Sequence, residues 1–369
     1  MYLEQDTYDR DPDGEDVALP FVYGRAYRDR PGPIYASVEA WRAGLPPTNT
    51  LHPRAKVHFV GVVGALPEDE PPRDQATGSG APEDGGAPED AGAPEDAGAP
   101  EDGDRPKGLE PEPGPVAPGS LGLLRPGGEV VPADAVYLFP VSRFEGRDLH
   151  SDPVTPGGRA AWVLPYVGLK LRDAPDEAAE EVGQLPFQAA LDAFGDGDWL
   201  QTASGAWLRA RDVRVFEPAP APPGAGGRSW IDVDLSQQTL ALIQDDTPSF
   251  VTLISSGLPR TATPTGLYEI TDKVVHDDMR SRPRAREWYH VEQVPWIMHF
   301  RSRYALHGAF WHWGFGHPAS HGCINLAPKD ARALFERLLP TLPRGWHTVY
   351  ADPDHQGTLV RIRGETPGG

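Results

Sequence analysis

Apolar and polar residues alternate at a period of two in short runs along most of the chain, and a period near 3.6 is sustained in one place only. Tyr23–Arg28 and Lys56–Val63 read as strands, and the alternation resumes at Gly127–Phe139. Further short runs begin at Gly168, Gly183, Gly197 and Gly205, each opened by a turn residue, and this spacing predicts a small barrel. Trp230-Ile-Asp-Val-Asp-Leu, a turn at Ser236-Gln-Gln and Thr239-Leu-Ala-Leu-Ile predict a β-hairpin with Ile231, Val233 and Leu235 on one face. Phe250–Ser255 and Gly266–Asp272 are two more strands. The helical period falls at Pro328–Leu339, with proline in the first turn, Ala331, Leu334, Phe335 and Leu338 as the apolar stripe, and Pro340 as the stop.

These elements divide the 369 residues into modules. Residues 1–19 form a tail, 20–145 a small β module interrupted at 66–118, 150–218 a second small barrel, 219–227 a Pro/Gly linker, and 228–364 a third domain. The fold class is therefore mainly β: two small β-barrel modules followed by a β-rich domain with one main helix. The interruption holds 15 acidic and 3 basic residues, so it carries −12 of the net charge of −20. Within it Gly-Ala-Pro-Glu-Asp recurs from Gly80, Gly86, Gly92 and Gly98, a repeat that buries nothing and repels itself, as a solvated spacer does.

Composition narrows the function classes. A chain this acidic, with no basic patch, is not a nucleic-acid binder. No run of 18 apolar residues is present, so no membrane span is expected. The acidic start after Met1 has no hydrophobic core of a secretory signal. The single cysteine, Cys323, excludes an internal disulfide framework and any multi-cysteine metal site.

Four histidines and Cys323 fall within the segment His307–Leu326. One reading is a cysteine nucleophile with a histidine base, the glycines letting backbone N–H groups approach a substrate carbonyl. A second is a metal site from His307, His312, His317, His321 and Cys323, but these spacings fit no paired-ligand signature, and no metal or cofactor is called for. A third makes Cys323 a small buried hydrophobe. A papain-like protease expects cysteine before histidine, the reverse of this order.

Ser320-His321-Gly322-Cys323-Ile324-Asn325 resembles the signature of the L,D-transpeptidases, the YkuD-like catalytic domain. The resemblance extends over residues 229–350 through Ser255-Ser-Gly, Thr263-Pro-Thr-Gly266, Val294-Pro-Trp-Ile-Met-His-Phe and Leu306-His307-Gly308. It departs in one place, because only 12 residues separate His307 from Ser320. Trp199-Leu, Gly205-Ala-Trp-Leu and Asp212-Val resemble more loosely the bacterial Src-homology-3 type of wall-targeting domain, which either binds wall or spaces the catalytic part.

The first resemblance implies peptidoglycan stem peptides as substrate, Cys323 as nucleophile, His307 as base and Gly308 backbone as its orienting group. It implies Gly322 and Cys323 as oxyanion donors, Ser320 and His321 as site lining, and Asn325 as a structural anchor. Trp296, Phe300, Tyr304, Trp311 and Trp313 are expected along the substrate groove, Trp288 and Tyr289 nearby, and Arg280, Arg282, Arg284 and Arg286 as a basic run before it. His312 and His317 match no motif position and are read as loop residues. The implied reaction is acyl transfer with release of D-alanine. The acceptor is a second stem peptide, an envelope protein or water, and the implied location is the periplasm or cell envelope. The rival reading is a non-catalytic wall-binding protein.

Overall fold

In the computed structural model the described residues are 19–28, 32–64, 120–281, 289–367. The acidic repeat, Arg282, Arg284, Arg286 and Trp288 lie outside them. The chain forms two compact units, one spanning Phe21–Phe139 and a larger one from Pro140 onward.

The smaller unit is built from short antiparallel strands. Val22–Ala26 pairs with Lys56–Phe59 and with Val136–Leu138, and Gly61–Gly64 pairs with Leu121–Leu124. The continuous run predicted over Lys56–Val63 is thus broken at Val60, whose N–H turns to the Leu124 carbonyl. A five-residue helix, Val38–Arg42, capped by the Ser37 side chain, buries Trp41 and has no counterpart in the sequence reading.

In the larger unit the second module contributes seven strands between Arg159 and Val215, and no closed barrel forms among the described residues. The third domain follows with strands numbered here β1 (Trp230–Asp234), β2 (Thr239–Gln244), β3 (Thr247–Leu253), β4 (Gly266–Glu269), β5 (Asp272–Arg280), β6 (His290–Arg301), β7 (Tyr304–Gly308), β8 (Ile324–Leu326), β9 (Thr348–Tyr350) and β10 (Leu359–Arg363). One sheet runs β4-β10-β1-β2-β3 and ends on a two-residue strand at Arg147–Asp148. The other places β5 against β6 and β9, β6 against β7, and β7 against β8.

The hairpin of β1 and β2 buries Ile231, Val233 and Leu235, as the alternation predicts, but its other face is buried too. There Asp232 meets Arg361 at 2.8 Å and Arg363 at 3.2 Å, and Asp234 meets Arg363 at 2.5 Å, so β1 is covered on one side by hydrocarbon and on the other by ion pairs from β10.

The helix Pro328–Arg337 sets Ala331, Leu334 and Phe335 into the main core. It stops two residues before the predicted end, with Leu338 extended at φ −89° and ψ 151°. Lys273, fully buried, donates to the carbonyls of Phe335 at 2.5 Å and Leu338 at 2.7 Å, satisfying groups that a helix end leaves open. Burial lowers its amine to about 8.

The second module and the third domain share one core. Trp162 and Phe216 pack in the same cluster as Trp230, Val251, Leu253 and Phe315. The Pro/Gly stretch between them is held down: Ala225 is fully buried, and the carbonyls of Glu217 and Pro220 accept from Arg363 and Arg361.

Candidate active site

β7 and β8 are parallel neighbours, with Leu306 against Ile324, His307 against Asn325 and Gly308 against Leu326. Leu306, Ile324 and Leu326 all belong to the main core. Side chains alternate along a strand, so His307, Asn325 and the preceding Cys323 turn to the opposite face. The strand register thereby brings onto one surface two residues 16 positions apart in sequence, offset diagonally across the strand pair.

His307 is 2% exposed, and its Nδ1 lies 3.1 Å from the Gly308 carbonyl oxygen. A carbonyl accepts only, so this nitrogen carries the proton and Nε2 keeps its lone pair. The Trp311 ring lies against the imidazole at a centroid distance of 5.8 Å. Burial lowers the imidazole to about 4, while its Gly308 contact acts in the opposite sense and His299 adds to the lowering.

The Cys323 thiol is partly buried and donates to the Arg303 carbonyl at 3.6 Å rather than to His307. Burial pushes the thiol up, with the backbone at Ala305 and the charge of Arg303 pulling it down. Both shifts oppose charge separation. They favour the neutral thiol and the neutral imidazole over the thiolate–imidazolium pair found at strongly electropositive cysteines.

The turn before Cys323 is held from several sides. Gly322 has φ +120°, and a Cβ there would sit 2.6 Å from Cε1 of Tyr304. Its N–H donates to Ser320 Oγ at 3.0 Å, and Ser320 Oγ donates to the Cys323 carbonyl at 2.5 Å. The Gly322 amide is therefore engaged by the turn itself and does not face an oxyanion, and Ser320 braces the turn. Thr263 Oγ1 donates to the Gly322 carbonyl at 2.9 Å and accepts the Gly257 N–H, and the N–H groups of Ala319 and Ser320 reach the Ser256 carbonyl. The Ser255-Ser-Gly and Thr263-Pro-Thr-Gly motifs are thus the buttress of this turn.

The aromatic residues separate into two groups. Trp296 and Phe300, expected along the groove, are 5% and 3% exposed and sit in the main core, Trp296 against Phe335 and Phe300 between Tyr268 and Tyr304. Their strand faces inward at those positions, which corrects the expectation. Tyr304 lies over Gly322, Trp311 over His307, and Trp313 is 44% exposed. Tyr289 stacks on the exposed His321 at 5.1 Å, forming a rim beside Cys323.

His312 and His317 have definite places. Buried His312 bonds Asn325 through Nε2 at 3.0 Å, tying the loop between His307 and Cys323 to β8, while Asn325 also bridges to Ser255. His317 bonds the Leu164 carbonyl at 3.2 Å and stacks on Tyr166 of the second module at 5.2 Å. The histidines thus diverge, and among the described residues no group of His, Cys, Asp and Glu is placed to hold a metal ion.

Residues 228–362 match the family model described as YkuD, the L,D-transpeptidase catalytic domain. Solved structures similar to the chain include an L,D-transpeptidase from Stackebrandtia nassauensis, at 26% identity and a TM-score of 0.28 over 38% of this chain and 58% of that one. The catalytic domain of an E. faecium L,D-transpeptidase matches at 24% identity and a TM-score of 0.30 over 37% of this chain and 98% of that one. An L,D-transpeptidase from Mycobacterium smegmatis matches at 20% identity and a TM-score of 0.31, over 62% and 89%. Among curated proteins none matches. Residues 228–362 thus form an L,D-transpeptidase-type catalytic domain of the YkuD family. Among the described residues no helix is long and apolar enough to cross a membrane.

Proposed function

We propose that the chain is a peptidoglycan L,D-transpeptidase acting by cysteine acyl transfer. The observation that carries this reading is a buried neutral imidazole, fixed by Gly308 with Nε2 open, on the same sheet face as the one cysteine. On substrate binding the Cys323 sulfur turns from the Arg303 carbonyl, gives its proton to His307 Nε2 and attacks the carbonyl of the third stem residue. The oxyanion is met by the Cys323 amide, since that of Gly322 is engaged. The tetrahedral intermediate collapses as the His307 proton passes to the departing D-alanine nitrogen, leaving a thioester. An amine of a second stem peptide then displaces the thiol, and His307 takes the surplus ammonium proton. Trp311, Tyr304 and the Tyr289–His321 rim shield the thioester, which favours an amine over water. The substrate places the protein at the cell envelope, and the second module is a relative of the Src-homology-3 wall-associated domains that never closes its barrel.

Mass spectrometry of the intact chain incubated with a tetrapeptide stem, with and without an amine acceptor, tests this. The expected result is an adduct of the stem less D-alanine, absent in Cys323→Ala and discharged faster by amine than by water. His307→Gln should lower the acylation rate by ~10²- to 10⁴-fold. An adduct that persists in Cys323→Ala, or full activity in His307→Gln, would overturn the assignment.

A further inference from the structure

The loop between His307 and Cys323 is fastened at its far end by the second module. Gln188 Nε2 donates to the carbonyls of Trp313 at 2.8 Å and Phe315 at 3.1 Å. Arg214 Nε donates to the Gly316 carbonyl at 2.9 Å. Gln188 has φ +60°, a left-handed conformation that a residue with a long side chain rarely adopts, so the turn presenting this amide is strained. At its near end the same loop puts Trp311 against His307 and His312 on Asn325. Phe315, fully buried beside Trp162 of the second module, joins the two ends.

We propose that Gln188 and Arg214 are positioning residues for acyl transfer: from the second module they set the 311–317 loop so that Trp311 seals the base. This deepens the function proposed above and rests on it. The module is then part of the catalytic apparatus, neither a spacer nor only a wall anchor. Trp311 keeps water from His307; the titratable neighbour acting on that imidazole is His299, itself 2.7 Å from Asp272. Releasing the loop wets the imidazole and raises its proton affinity, while Gln188 and Arg214 themselves bind only the loop's carbonyls.

The test uses the full chain with ¹⁵N-labelled histidine, the His307 signal being assigned by difference from His307→Gln. Gln188→Glu is nearly isosteric but presents an acceptor to two carbonyls, and Arg214→Ala removes the other donor. In both, His307 should titrate about one unit higher than in the wild type. D-Alanine release should lose ~10-fold or more in kcat with KM within about twofold. Arg214→Lys, which restores a donor, should recover most of both. A module that only supports the fold would lower the unfolding temperature and leave the His307 titration in place. Unchanged titration and kcat in folded Gln188→Glu and Arg214→Ala would therefore overturn the proposal. Failure of the wild type to release D-alanine would sink the functional reading instead, and the imidazole titration decides the bracing separately.

Discussion

Asp330→Asn should stabilise the protein increasingly as pH rises from 5 to 7. Asp330 is 1% exposed in the first turn of the long helix, where it accepts the Gly146 N–H at 2.9 Å and meets the Thr252 hydroxyl, which also reaches the Leu253 carbonyl. Burial raises its carboxyl from 3.8 to about 7, against the pull of the Gly146 and Thr252 hydrogen bonds, while the charges of Glu145 and Lys329 act in opposite senses. Between those values the folded protein holds a proton that the unfolded chain has released. Stability is therefore greatest in acid and falls with rising pH by about 1.4 kcal/mol per unit, to a ceiling of about 4 kcal/mol above pH 7. Asparagine keeps the acceptor for Gly146, offers an N–H to Thr252 and cannot ionise. The opposite trend from His307, whose lowered value adds stability as pH rises from about 4 to 6.5, is common to both proteins and cancels in the difference. Urea unfolding of the two proteins at pH 5, 6, 7 and 8 should show their difference growing by about 2 kcal/mol between pH 5 and 7 and levelling thereafter. A difference that stays constant across this range would refute the reasoning, because it would mean that Asp330 titrates alike in both states.

Three further outcomes are expected. The rate of acylation should rise through about pH 4 as His307 loses its proton and stay flat through neutrality, since burial pushes the Cys323 thiol up; stopped-time assays from pH 3.5 to 9 read this. Gly322→Ala should remove most activity, measured as D-alanine release, because its Cβ would meet Tyr304 at 2.6 Å in a backbone conformation that side chains resist. Lys273→Met should cost about 2–4 kcal/mol in chemical unfolding, because two buried carbonyls at the helix end lose their donor.

The local pattern made much of the third domain legible. A period of two marks β1 because Ile231, Val233 and Leu235 face one core, and the 3.6 period marks the helix for the same reason, whereas β2 is buried on both faces, Leu240 and Leu242 in that core and Ala241 and Ile243 in a second. The helix terminus was not legible, because Lys273, from a distant strand, supplies its cap. Cys323 and His307 stand out by residue type and motif, yet their neutral resting state depends on burial, which no spacing encodes. Trp296 and Phe300 look like groove residues by composition, and only the sheet register turns them inward. Gln188, Arg214 and Asp330 carry no local signal at all. Each acts through partners more than 70 residues away, so its role appears only once the chain is folded.

The buried Ala225 and the carbonyls of Glu217 and Pro220 bound to β10 make the Pro/Gly stretch a seam rather than a hinge. A recombinant fragment begun at residue 228 would lay bare Trp230 and Phe315, whose cover comes partly from Trp162 and Phe216, and would be prone to aggregate. A substitute for the second module would need to bring both a matching apolar face and donors for the loop it holds.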